Sequence, residues 1–232
     1  MEDEINKKYL ERIRAGKNAL HDLRPQNYGI WSEFDRETAI QISNLDRENA
    51  KILIVGAGYG AEVFLLLRYG VQISNIYCVD MQKDRVEYLT KILPSLGGYL
   101  NTGYVKGVFS DVEFDLILCS TVLSSISHST DRISLLKEMN NSMSELGALL
   151  IYDMNINNIN NADVSPVKER WLKKQLELIH CLVTSKRITL VPYLSRRVFY
   201  KSGFIFNLLN CIPFLKTHKY YIVKKKVPPA LV

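Results

Sequence analysis

Residues 51–64, KILIVGAGYGAEVF, set three glycines where an apolar run gives way to helix-forming residues. Strand, glycine turn and helix N-terminus in that order make a phosphate- or nucleoside-binding geometry. Glycine lets the backbone approach a ligand, and the first helical N–H groups have no intrahelical partner. Gly56, Ala57, Gly58 and Gly60 form this cradle. The turn reads both as GxGxG and as GxGxxA, the second a dinucleotide fingerprint. Asp80 closes the next apolar run 24 residues after Gly56, near the roughly 20 at which a ribose-binding acid is expected. A dinucleotide and a nucleoside sulfonium both present an adenosine ribose, so this acid suits either. A glycine turn that only permits helix–sheet packing is the third reading.

Other residues carry chemistry by type. Asp153 ends the apolar run ALLIYD and opens an Asn-rich loop; it reads as a base or acceptor-orienting group, or as a turn residue. His128 in SSISHST is a second candidate base, and a lone His in a Ser-rich turn also reads as surface. His218 opens the last predicted strand, where a plain structural role is the stronger reading. Asn157 and Asn158 offer paired donors and acceptors suited to sugar hydroxyls, or ordinary turn chemistry. Arg196 and Arg197 suit a phosphate or carboxylate on an acceptor. Adjacent arginines on a helix point apart, so at most one, taken as Arg196, reaches a site.

The elements that must position these groups alternate. ILIV (52–55), NIYCVD (75–80), YVKGV (104–108), FDLILCS (114–120) and ALLIYD (148–153) are predicted strands; 60–68, 81–93 and 130–142 are predicted helices, the last capped by Ser129 or Thr130 and followed by a turn at Gly147. The strands are nearly continuous in apolar residues, which suits a parallel sheet covered on both faces, and the alternation gives an open doubly wound α/β sheet. Ahead of them, residues 2–22 have helical spacing, and a second helix is expected over 32–44 with Ser32 as N-cap. Tyr28 and Trp31 precede it as a lid or a hydrophobic staple. Beyond Asp153 a helix at about 166–178, a strand at 187–192, a helix-like run at 194–210 and a strand at 218–225 follow. The expected division is an N-terminal helical lid (1–46), the α/β domain (47–226) and a linker or tail (227–232), which allows a larger parent chain.

Hydrophobic residues make up 47% of the 232 and charged residues 23%, ordinary globular usage with enough apolar material for a full core. The four cysteines are scattered without a CxxC pair, so neither disulfides nor a metal site is expected. The N-terminus lacks the apolar core of a signal peptide, and no apolar run approaches the roughly 20 residues a membrane span needs. These features predict a cytoplasmic protein. The net charge of +6 gathers late, at Lys186, Arg187, Arg196, Arg197 and Lys224 to Lys226. Such a bias attracts phosphate-bearing substrates, nucleic acid or an anionic membrane face, or is a solvated surface. No RNA-binding aromatic and basic motif accompanies it, so no nucleic-acid partner is expected.

Taken together, VGAGYG, CVD, FDLILCSTVLSSI and LLKEMNNSMSELGALLIYD resemble the class I S-adenosylmethionine-dependent methyltransferases over residues 51–153. The resemblance implies a mostly parallel seven-stranded Rossmann-like sheet, with S-adenosylmethionine as cofactor and S-adenosylhomocysteine as product. It places the cofactor carboxylate at Gly56, Ala57, Gly58 and Gly60 and the ribose on Asp80. Met81 and the backbone of Phe109 flank the adenine, and Ser120 and Thr121 lie at the methionine end. An alcohol acceptor needs a base, with Asp153 first and His128 second. Ile54 departs from the pattern, standing where many members carry an acid two residues before the first glycine; Val108 likewise replaces the acid that meets the adenine amine. YDMNINNINNADVSPVK, RITLVPYLSRR and IPFLKTHKYYIVKK resemble a bacterial subgroup associated with surface-glycan and O-antigen gene clusters. That implies O-methylation of a sugar. An NAD(P)-dependent oxidoreductase using the same turn is the alternative, against which the FDLILCSTVLSSI segment argues; a catalytically silent binding module is another.

Overall fold

The apolar runs without polar alternation become the centre of one seven-stranded sheet, because strands covered on both faces have no side to give to water. In chain order the strands are β1 (Ile52–Val55), β2 (Ile76–Asp80), β3 (Gly98–Asn101), β4 (Phe114–Ser120), β5 (Met143–Met154), β6 (Cys181–Leu190) and β7 (Lys216–Lys225). This computed structural model describes residues 27–103, 105, 108, 109, 111–156 and 165–226, with Lys7 apart. The spatial order is β3-β2-β1-β4-β5-β7-β6. β1 to β5 pair in parallel, and β7 runs antiparallel to both β5 and β6. Between β1 and β4 the strand order reverses, which puts the ligand crevice outside the carboxyl ends of those two strands.

The helices are α1 (Tyr28–Ile42), α2 (Ala61–Arg68), α3 (Lys83–Ile92), α4 (Ser129–Ser142), α5 (Glu169–Leu178), α6 (Pro192–Val198) and α7 (Gly203–Asn210). Phe34 and Ile42 of α1, Leu66 of α2 and Leu89 of α3 cover one sheet face with Ile52, Ile54 and Leu118. Leu136 and Met139 of α4 with Leu172 and Leu176 of α5 cover the other, against Val55, Ile117 and Ile151.

Several local expectations are corrected. The third strand is Gly98–Asn101 rather than 104–108; the described part of that later stretch, Val105 and Val108, lies in a loop and a turn. Glycines suit β3 because a Cβ on Gly97 would lie 2.2 Å from the Ser74 carbonyl and one on Gly98 2.5 Å from the Phe109 ring. The first described helix begins at Tyr28 with Asn27 as N-cap, so Ser32 sits inside it. His128, not Ser129 or Thr130, is the N-cap of α4, and its side chain forms no capping bond. Gly147 lies within β5, where the register with β4 shifts between Phe114 and Leu116. The run at 194–210 is two helices, because the Ser202 hydroxyl accepts from Ile205 N at 3.2 Å and starts the second. β6 begins six residues before the strand expected at 187–192, and Pro192 opens α6. The helix expected at 2–22 and the tail 227–232 lie outside the described residues.

α1 is a packed layer rather than a loose cover. Glu33 accepts from the Thr189 amide at 2.7 Å and from Lys216 Nζ at 2.7 Å. Thr38 bonds Tyr220 Oη at 3.2 Å, and Trp31 and Phe34 lie against Tyr152. Thr189 is buried at φ 67°, a left-handed conformation that costs a β-branched residue energy. Its hydroxyl bonds Tyr152 Oη at 2.8 Å, so the strained residue joins α1, β5 and β6.

Candidate active site

Past Val55 the chain turns through Gly56, Gly58 and Gly60 at φ 73°, 56° and 88°. Gly56 N and Ala57 N donate to Val79 O at 2.8 and 3.1 Å, and Gly58 N donates to Asp80 Oδ2 at 2.8 Å. These three amides therefore lock the turn onto the end of β2. A Cβ on Gly56 would lie 2.4 Å from Val122 Cγ2, and one on Gly60 2.6 Å from Leu89 Cδ2. On Gly58 it would meet nothing nearer than the Gly56 carbonyl at 4.0 Å. Gly58 is thus the point at which another molecule can approach the backbone.

Asp80 is buried and accepts from Gln82 N at 2.8 Å as well as from Gly58 N. Arg85 Nη1 stands 3.5 Å from Oδ2, with its guanidinium 5.7 Å from the Tyr59 ring centroid. Asn101, at the end of β3, donates to the Asp80 carbonyl at 3.0 Å. Met81 lies against Gly103, where a Cβ would come 2.7 Å from its sulfur. The Phe109 ring packs edge-on to Tyr77 at 5.0 Å and its carbonyl accepts from Val112 N, so both its ring and its backbone carbonyl are engaged within the fold.

At the switch point itself stands a residue that sequence reasoning did not single out. Glu62, in the first turn of α2, accepts a hydrogen bond from the Ser120 hydroxyl at the end of β4. Glu62 is 9% exposed, and burial pushes its carboxyl pKa up, reinforced by Asp35 and Asp80. Ile54, where an acid was missed, is a core side chain in register with Cys78 and Leu118. Burial, with Glu62 and Asp80 nearby, pushes the Cys78 thiol up as well. The carboxyl absent at Ile54 is therefore found eight residues later, on α2. The available signal was an acid standing alone in the apolar run AEVFLLL. Next to Ser120, Thr121 takes φ 57° and donates its amide to Tyr152 O at 2.7 Å. A second β-branched residue in the left-handed region marks strain beside the crevice.

The end of β5 forms the other wall. Asp153 is 1% exposed; Oδ2 accepts from Ser124 N at 3.0 Å and Oδ1 from Met154 N at 2.7 Å. Burial raises its pKa to about 6. The carboxyl thus holds the turn at Leu123–Ser125 from a buried position. His218 stacks on Tyr152 at 4.9 Å and shares a hydrogen bond with Thr217 Oγ1, and burial lowers its pKa to about 4. His128 is exposed at the start of α4. Arg196 donates from Nε to Asn27 Oδ1 at 2.9 Å, tying α6 to the cap of α1. Asn157 and Asn158 lie outside the described residues. The structure joins Gly58 to Asp80 and Glu62 to Ser120, beside Thr121, at the carboxyl ends of β1, β2 and β4, and buries Asp153 at the end of β5. Among the described residues no group of three or more His, Cys, Asp or Glu side chains could hold a metal ion.

The family model described as "Methyltransferase domain" matches residues 53–151. No curated protein matches in sequence. Among solved structures, a SAM-dependent methyltransferase from Archaeoglobus fulgidus is similar at 15% identity and TM-score 0.62, over 86% of this chain and 97% of that one. Magnesium protoporphyrin IX methyltransferase from Synechocystis PCC 6803 with bound SAH is similar at 11% identity and TM-score 0.63, over 96% and 97%. The 1,6-didemethyltoxoflavin-N1-methyltransferase of Burkholderia thailandensis, bound to its substrate and S-adenosylhomocysteine, is similar at 15% identity and TM-score 0.61, over 97% and 88%. At these identities the likeness is one of fold.

The two turn glycines should separate by substitution. Gly56→Ala adds a clash with Val122 to backbone strain and should cost roughly 3 kcal/mol or more in urea unfolding. Gly58→Ala meets open space and should cost only about 1–2 kcal/mol. Equal losses would contradict the orientation of the turn. Asp153 makes stability depend on pH. Its folded pKa of about 6 lies above the unfolded value, so the folded state keeps a proton that the unfolded chain releases. Its contribution is complete below about pH 4 and is lost as pH rises through about 6. Asp153→Asn should remove that fall, roughly 2–3 kcal/mol; parallel pH profiles for the two proteins would refute the buried carboxyl.

Proposed function

We propose that the chain is a cytoplasmic S-adenosylmethionine-dependent methyltransferase that methylates an oxygen on a sugar of a bacterial surface glycan. The segments that resemble the glycan-modifying subgroup support the acceptor. Their described parts converge on one end of the sheet: the end of β5, the end of β6 with α6, and the turn at Pro213–Leu215 leading into β7. That end is the carboxyl edge of β4 and β5, and so the acceptor side of the crevice.

The residues present fit the cofactor. Asp80 would accept from the ribose diol, Gly58 would allow the close approach, and Met81 would flank the adenine. Glu62 would offer a buried carboxyl to the cationic amino-acid end, the role left vacant by Ile54. When bound, the cofactor supplies a methyl group on a sulfonium whose charge disappears as the methyl leaves. The chain contributes alignment, which in favourable cases lowers a barrier by roughly 7–11 kcal/mol. Proton removal from an acceptor hydroxyl falls to His128, exposed on the acceptor side. Asp153 acts through Ser124 as a positioning residue for the wall of the crevice.

Calorimetry should show S-adenosylhomocysteine binding, weakened at least about tenfold by Asp80→Ala, with no binding of NAD(P)H. Binding of NAD(P)H alone, or of neither ligand, would overturn the cofactor assignment. Incubation of methyl-labelled cofactor with bacterial surface saccharides should place the label in a base-stable methyl ether. Label released by mild base as a methyl ester, or found on an amine, would overturn sugar O-methylation.

A further inference from the structure

The chain between β6 and β7 carries a surface that neither the cofactor nor the core uses. α7 buries Phe206 against Phe199, ring centroids 5.1 Å apart, and turns Phe204, Ile205 and Leu208 outward. Phe204 is 78% exposed, and Phe214, in the turn after α7, is also 78% exposed. Exposed aromatic and aliphatic side chains this close in sequence and structure are unusual for a surface that meets only water.

The charge around them has one sign. Glu177 is the last acidic residue of the chain, and ten Lys and Arg follow it. Arg197 and Lys201 are exposed beside α7, and Arg187 donates to the Pro213 carbonyl at 3.4 Å, next to Phe214. The acids that reach this end from α1 are already paired, Glu33 with Lys216 at 2.7 Å and Glu37 with Lys186 at 2.6 Å. Apolar side chains flanked by cations that pair with no acid among the described residues match a bilayer with anionic headgroups: the apolar groups enter the acyl boundary and the cations meet phosphate. A nucleic acid would satisfy the cations but leave Ile205, Leu208 and Phe214 in water.

The location gives this chemistry a purpose. β6 ends and β7 begins at the carboxyl edge of β5, so α6, α7 and Phe214 stand beside the acceptor side of the crevice. We propose that this face, with Phe204, Leu208 and Phe214 as anchors and Arg187, Arg197 and Lys201 around them, docks on an anionic lipid bilayer and presents the crevice to acceptors held there. The purpose rests on the acceptor reading above; the docking does not. Among the described residues no helix is long and apolar enough to cross a membrane, so the contact is peripheral.

The test is vesicle co-sedimentation of the full chain with phosphatidylglycerol–phosphatidylcholine vesicles, pure phosphatidylcholine vesicles and a single-stranded RNA. Binding should require the anionic lipid and weaken as salt is raised. Phe204→Ser with Phe214→Ser should reduce partitioning at least about tenfold, while unfolding temperature and S-adenosylhomocysteine affinity stay unchanged. Arg197→Glu with Lys201→Glu should give a similar loss. The proposal fails if anionic vesicles are not bound, if the serine pair leaves partitioning intact, or if RNA displaces the protein from vesicles through the same residues. It also fails if the serine pair instead dissolves a self-association measured by sedimentation velocity without lipid. Failure with S-adenosylhomocysteine binding intact would leave the methyltransferase reading standing.

Discussion

The hydrogen bond from Ser120 to Glu62 spans the point at which the order of the sheet reverses. On one side stand β1 and the helix after the glycine turn; on the other stand β4 and the turn that leads to the acceptor wall. A carboxyl buried with one hydroxyl donor costs folding free energy unless it is protonated or meets a cation. Its presence there, with Asp80 and Asp35 adding negative potential, suits a ligand that brings positive charge. The strain at Thr121, beside Ser120, sits where structures commonly tolerate it, at a ligand edge.

The rest of the molecule holds that edge in place. The glycine turn is tied to β2 through Val79 O and Asp80. The acceptor wall is tied to β5 through Asp153 and Ser124. α1, which could have been a free cover, is anchored through Glu33 to both Thr189 and Lys216. What remains unanchored is the outer face of α7 and Phe214, and its apolar side chains and uniform positive charge set it apart.

Sequence was most legible where burial alone decides structure. FDLILCS is apolar on both faces and became β4 at the residues expected. GGYL was not legible, because its glycines weaken strand propensity while the crowding by Ser74, Tyr77 and Phe109 that requires them is visible only in three dimensions. The helical period through 194–210 hid a break, since one capping hydroxyl on Ser202 outweighs a continuing apolar pattern. Asp80 was singled out because position and residue type agree. Glu62 was not, because its meaning comes from Ser120, 58 residues away. Asp153 was placed correctly at the end of β5, yet the direction of its carboxylate depended on two backbone amides.

The proposed function turns on Glu62 receiving the cationic end of the cofactor in place of the acid missing at Ile54. A thermodynamic cycle tests it most directly: binding of S-adenosylhomocysteine and of its analogue lacking the α-amino group, each to the natural protein and to Glu62→Gln. The expected coupling is about 1.5 kcal/mol or more, with removal of the amino group weakening binding to the natural protein and hardly changing binding to the variant. Equal losses on removing the amino group from both proteins would contradict it.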